Sequence, residues 1–257
     1  MKNLIIGAVS GNYSPKDLEN WVETSNFKNV DRALILYNRS EDDLVDYLNK
    51  ANIQILSPEF GYWGNELSTY PTNTGDVSLE NSYNLIHNIR FFHIWTHLSS
   101  LGNVYDKVLI TDVKDVYFNY DPFPLLEGDK ITATSEIVKY RNESWNELHL
   151  GVNLGLIGRH LLLNEPVYNV GVFGGPISLI KDICADIYLM SVGKLKVADQ
   201  TSYNYLIQTR YKNSVVFTEH IAAHLHVVNA GLVNIDLNNI SKYSIVHQYD
   251  RIRGFKR

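Results

Sequence analysis

Tyr105-Asp-Lys-Val-Leu-Ile-Thr-Asp-Val-Lys-Asp-Val-Tyr-Phe-Asn119 is the stretch that decides the fold. Val108 to Thr111 is a short apolar run without polar alternation, which reads as a strand covered on both faces. Asp112 and Asp115 follow it at once. Open α/β sheets gather ligands beyond the carboxyl ends of their strands. Two carboxylates held there are costly unless a cation offsets them, and hard ions such as Mg2+ or Mn2+ take oxygen ligands. Spacing alone also allows a plainer arrangement, with Asp112 capping a turn and Asp115 in solvent.

Upstream, strands and helices alternate. Leu4–Val9, Ala33–Tyr37 and Ile53–Leu56 read as buried strands. Asp17–Thr24 reads as a helix, as does the segment from Ser40 to about Lys50, whose Ser-Glu-Asp-Asp start has the serine-plus-acid pattern of a helix N-terminus. Phe60–Ser78 is rich in Gly, Asn, Thr and Pro and reads as a long loop. Leu79–Leu101 is expected as a long helix with Leu85, Ile89, Phe92 and Leu98 on its apolar side. Downstream come a strand at Ile131–Thr134, a strand-turn-helix unit from Asn169 to Met190, a helix at Asp199–Arg210, and short strands at Val215-Val216 and after Ile245. Glu136–Pro166 is polar, aromatic and without clear period, and reads as an irregular insertion that binds an acceptor. This order predicts an α/β fold, a mainly parallel sheet with helices on both faces.

Composition narrows the function. The chain has 257 residues and is expected to form a single domain, with a nucleotide-binding half over about 1–118 and an acceptor-binding half over about 119–257. Its 23 Lys and Arg against 28 Asp and Glu give a formal charge of -5, which argues against a nucleic-acid binder. One cysteine, Cys184 in an apolar stretch, allows no disulfide within the chain and reads as a small buried hydrophobe. Met1–Ser10 lacks the form of a signal peptide, and no segment has the ~18 to 20 apolar residues of a membrane span. A cytoplasmic protein without a transmembrane segment is the expectation.

With these residues in view, Asp112-Val-Lys-Asp115 resembles the DxD region of GT-A-fold, metal-dependent nucleotide-sugar glycosyltransferases, in a variant with two residues between the acids. Other segments resemble that family in the same order along the chain. The turn Ala8-Val-Ser10-Gly-Asn-Tyr13 is similar to the one that holds the nucleotide, with Tyr13 stacked on the base. Arg90 resembles a helical donor-binding arginine. Asn169-Val-Gly-Val-Phe-Gly174-Gly175 resembles an N-x-G-x-x-G-G segment lining the sugar site. Asp199-Gln200 resembles a helix start whose carboxylate holds an acceptor hydroxyl or takes its proton. His247 resembles a late third metal ligand, and Arg251, Arg253 and Lys256 follow it as diphosphate partners.

The resemblance implies transfer of a sugar from a nucleotide-sugar, with UDP favoured, to a glycan or other hydroxyl acceptor. It implies Mn2+ or Mg2+ on Asp112, Asp115 and His247, donor contacts from Ala8, Ser10, Tyr13, Arg90, Asp112, Asn169, Gly174, Gly175 and Arg251, and Asp199 as the catalytic residue. Alternatives are a sugar-nucleotide nucleotidyltransferase, which needs a basic Gly-rich loop that Gly7–Tyr13 lacks, and a non-catalytic binding module. No G-x-G-x-x-G follows the first strand, which argues against a dinucleotide-dependent oxidoreductase. His220 and His224 have i, i+4 spacing without the H-E-x-x-H glutamate, so they and His226 read as structural or surface residues.

Overall fold

The computed structural model describes residues 2–11, 13–37, 42–57, 86–102, 104–194 and 196–255. The elements before the acidic stretch are β1 (Lys2–Val9), α1 (Pro15–Thr24), β2 (Val30–Leu36), α2 (Asp42–Lys50), β3 (Gln54–Leu56) and α3 (Ile86–Leu101). Then come β4 (Tyr105–Thr111), β5 (Val116–Phe118), β6 (Ile131–Lys139), α4 (Ser144–Leu162), β7 (Pro166–Pro176), α5 (Ile177–Ser191) and α6 (Asp199–Gln208). The chain continues through β8 (Val215–Thr218), β9 (Ala222–His224), α7 (Leu225–Asn229) and β10 (Ile245–His247). The loop expected over Phe60–Ser78 lies outside the described residues, as do Ser40 and the first turns of the helix expected from Leu79.

The fold is α/β, as expected. Seven strands form the central sheet in the order β3-β2-β1-β4-β7-β6-β8. Alternating residues on each strand face opposite sides. Leu4, Ile6, Val108 and Ile110 pack with α3, α5 and α6 through Phe91, Ile94, Ile183 and Tyr203. Ile5, Leu34 and Leu109 pack on the other side against Leu18, Trp21, Leu44 and Leu48 of α1 and α2. Both faces are therefore covered, which explains the continuous apolar runs. Among the described residues, no helix is long and apolar enough to cross a membrane.

The central sheet is mainly parallel, as expected, but three features were not part of that pattern. First, β7 runs antiparallel to both β4 and β6, whereas β1, β2, β3 and β4 pair in parallel. Secondly, β5, β10 and β9 make a separate three-stranded sheet, with β10 at its centre. Thirdly, Glu136–Pro166 is not an irregular insertion, for it contains α4. Its exposed face carries Leu148, Val152 and Leu156, so apolar and polar positions do not separate by helical period. Gly155, at φ 59°, interrupts the helix. Glu143 caps it, its carboxylate accepting from the backbone N–H groups of Trp145 and Asn146 at 3.2 and 2.7 Å.

The direction of β7 corrects the expectation for two glycines. Thr111 at the end of β4 pairs with Val172, but Leu109 and Val108 pair with Gly174 and Gly175. The antiparallel run thus carries the second half of the Gly-rich segment back down the sheet. A Cβ on Gly174 would stand 2.9 Å from the Val108 carbonyl oxygen, and one on Gly175 would stand 2.6 Å from that of Lys130. Both glycines serve strand packing. Gly174→Ala is expected to cost about 1 to 3 kcal/mol by overpacking, read by denaturant unfolding, while leaving metal binding by the folded protein unchanged.

Candidate metal centre

The chain leaves the central sheet at Thr111 and enters the small sheet at Val116, and the turn between them carries both acids. The Asp112 backbone N–H donates to the Gly171 carbonyl at 2.7 Å. A Cβ on Gly171 would stand 2.4 Å from Asp112 Oδ2, so a glycine is needed for the carboxylate to lie against β7. His247 is on β10, opposite Val116 on one side and His224 on the other. Its Nε2 lies 3.2 Å from Asp112 Oδ2 and 3.7 Å from Asp115 Oδ1. Carboxylate and imidazole atoms of the three residues all lie within 4.8 Å of one another. The Gln248 N–H donates to the Asp115 carbonyl at 2.7 Å. Gln248 takes φ 60°, a left-handed conformation that a non-glycine residue adopts only at a cost of about 1 to 2 kcal/mol.

Arg90 connects this centre to α6. Its Nη1 donates to Asp112 Oδ1 at 2.5 Å and its Nη2 to Asp199 Oδ2 at 3.0 Å. It is no surface arginine, being only 8% exposed. Burial disfavours its charge, but Asp112 and Asp199 outweigh that and raise its pKa further. Two carboxylates, those of Asp112 and Asp199, thus share one guanidinium, while Asp115 lies beside His247. Burial also works against ionisation of Asp112, yet the Arg90 charge and the hydrogen bond from His247 hold its carboxyl well below the usual range. Burial, with the charge of Asp112 adding to it, pushes Asp115 up despite His247. His247 is raised as well, because Asp112 and Asp115 outweigh its burial. Two carboxylates and one imidazole form a mixed oxygen and nitrogen donor set of the kind that holds a metal ion.

The centre opens on a cleft of about 780 Å³. Ala8, Ser10 and Tyr13 line it from the end of β1, and Arg251 from the turn after β10. Arg90, Asp112, Asp115, Asn169, Asp199 and His247 complete the set of expected residues found there, while Gly174, Gly175 and Arg253 are absent from its walls and Lys256 lies outside the described residues. Lys114 Nζ stands 5.8 Å from the centre of the Tyr13 ring. Asp199 is the first residue of α6 rather than its cap, which is Ala198. Its Oδ1 accepts from the Gln200 N–H at 2.8 Å and its Oδ2 from Arg90, so both oxygens are engaged.

Glu136, Asn146 and Trp145, which no sequence motif singles out, also line the cleft. Glu136 is buried and accepts from Asn169 Nδ2 at 2.7 Å and Gln200 Nε2 at 3.0 Å, with His226 Nε2 at 3.2 Å. Burial opposes its ionisation, but the His226 hydrogen bond and neighbouring donors bring it down to about 2. Ile137 beside it adopts φ 62° where the register of β6 shifts. For a β-branched residue this is a strained position, worth of order 1 to 3 kcal/mol, and such strain collects at functional sites. A lone acid within Ile131–Val138 was the available signal. Trp145, 45% exposed at the cleft, stacks on His149 with ring centres 3.9 Å apart.

No protein-family model and no curated protein matches the chain.

Metal binding requires deprotonated ligands. A raised Asp115 and a raised His247 mean that protons compete at higher pH than for an ordinary Asp or His. Mn2+ affinity is therefore expected to fall as pH drops below neutrality, and calorimetric titration at several pH values checks this. Asp115→Ala and His247→Ala are each expected to weaken Mn2+ binding at least tenfold at neutral pH in the same titration.

Proposed function

We propose that this chain is a metal-dependent glycosyltransferase, transferring a sugar from a nucleotide-sugar to a glycan or other hydroxyl acceptor, as its resemblance to GT-A-fold enzymes implies. One observation carries the reading. Asp112, Asp115 and His247, together with the turn after β1 and Arg251, come from distant parts of the chain and share one cleft.

Each group has a part in this scheme. The Ala8–Tyr13 turn takes the nucleotide, with Tyr13 offering a ring face to the base. Asp112, Asp115 and His247 would hold Mn2+ or Mg2+, which would offset the negative charge of the donor diphosphate and of the departing nucleotide. Arg251, which is exposed, and Lys114 supply further positive charge along the diphosphate. Asn169 faces the donor sugar, its amide oriented by Glu136.

Arg90 holds the Asp112 carboxylate in place, and Asp199 in turn holds Arg90. With both oxygens engaged, Asp199 acts here as a positioning residue rather than as the base expected from the sequence. Trp145 presents an apolar face against which the flat side of an acceptor sugar packs.

Release of free nucleotide from a panel of UDP- and GDP-sugars, with Mn2+ and with chelator, tests the proposal. Asp115→Ala is expected to lower Mn2+-dependent release at least 100-fold without loss of fold by circular dichroism. Undiminished release in that variant refutes the site, whereas Mn2+ and UDP binding without release in the wild type points to a binding module. Trp145→Ala is expected to raise the acceptor KM several-fold while leaving acceptor-independent donor hydrolysis unchanged.

A further inference from the structure

Behind His247, away from the cleft, runs a buried line of polar groups that joins the two sheets. His247 Nδ1 lies 3.1 Å from His224 Nδ1. His224 Nε2 lies 3.1 Å from Thr134 Oγ1, and the Thr134 hydroxyl donates to the Val172 carbonyl at 2.6 Å. Parallel pairing of β9 with β10 sets the two histidines side by side. His247 is 1% exposed, and His224 and Thr134 are each 2% exposed.

The chemistry of these groups fixes the direction of every hydrogen bond. A carbonyl oxygen can only accept, so the single Thr134 proton goes to Val172. The Thr134 oxygen then accepts, and the donor is His224 Nε2–H. Two Nδ1 atoms at this separation share one proton between them. The described hydrogen-bond partners of His224 are Thr134 and His247, neither of them a carboxylate, so nothing in contact compensates a charge on its ring. Nδ1 of His224 is therefore the acceptor, and His247 donates to it from Nδ1. In the metal-free protein the other nitrogen, Nε2, carries a proton that it donates to Asp112 Oδ2, 3.2 Å away. A lone pair facing two carboxylates is favourable only with a cation, bound in place of a proton, between them.

We propose that His224 and Thr134 are positioning residues of the metal centre: they lock His247 in the tautomer and orientation that present Nε2 as a metal ligand. Hydrogen bonds of this kind behind a ligand imidazole fix its tautomer and ring orientation, and losing them costs about 10- to 100-fold in metal affinity. The inference concerns the cation alone and stands apart from the sugar-transfer reading.

The test is calorimetric titration of the full chain with Mn2+, without nucleotide-sugar, beside thermal unfolding of the metal-free proteins. Thr134→Val keeps the shape of the side chain but removes the hydroxyl, and is expected to weaken Mn2+ binding about 10-fold or more. Thr134→Ser restores the hydroxyl and is expected to bind like the wild type. His224→Phe keeps a buried ring without an acceptor for His247, and serves equally if the valine variant does not fold. A long-range 1H–15N spectrum of the Mg2+-loaded wild type is expected to show His247 protonated at Nδ1.

Wild-type Mn2+ affinity in both Thr134→Val and His224→Phe, with or without a change in unfolding temperature, overturns the proposal. So does equal loss in the serine and valine variants, His247 protonated at Nε2 in the Mg2+-loaded protein, or a wild type that binds no Mn2+. If Mn2+ binds and the variants behave as expected but no sugar donor is turned over, the relay stands and the sugar-transfer reading falls.

Discussion

Buried negative charge at the seam between two sheets is the constraint on which this molecule turns. Asp112 ends the walk along the central sheet, and Asp115 begins the entry into the small one. Removing one partner of a buried charge pair costs about 3 to 5 kcal/mol, because the remaining charge is stranded. Arg90 meets that constraint on one side by bridging to Asp199. His247 meets it on the other, from a strand more than a hundred residues further along the sequence. The architecture around the cleft follows from bringing these groups together.

The antiparallel course of β7 is part of the same arrangement. A parallel strand beside β4 would set its own carboxyl end at the cleft. Running the other way, β7 brings Asn169, Val170 and Gly171 there instead, and Gly171 leaves room for the Asp112 carboxylate. The neighbouring β6 then supplies Glu136, whose acceptor oxygens hold Asn169 and Gln200. Strain at Ile137 is tolerated because the surrounding sheet over-determines it.

Much of this could be read from the residues in order. Apolar runs such as Leu4–Val9 and Val108–Thr111 identify strands covered on both faces, and the acids after Thr111 lie where the cleft opens. The residues from Ala8 to Arg251 expected at the site share the cleft, apart from the second half of the Gly-rich segment. That exception depends on strand direction, which a pattern of glycines does not encode. The role of His224 depends on the register of β9 against β10, short strands whose pairing is decided by tertiary contacts. Glu136 escapes the pattern because the expected strand ends at Thr134, before Glu136 and the strained Ile137 beside it. Helix α4 was hidden because its outward face is apolar.

The place of the acidic turn has a thermodynamic corollary. One ligand ends the large sheet, another starts the small sheet, and the third sits at the centre of the small sheet. Any divalent ion held by all three fastens the two layers to each other, as a rivet does, in addition to serving chemistry. Binding confined to the native state adds about 2.7 kcal/mol at a hundredfold excess of free ion over Kd. With an ion held there, the cohesion of the two sheets would depend on the free metal concentration.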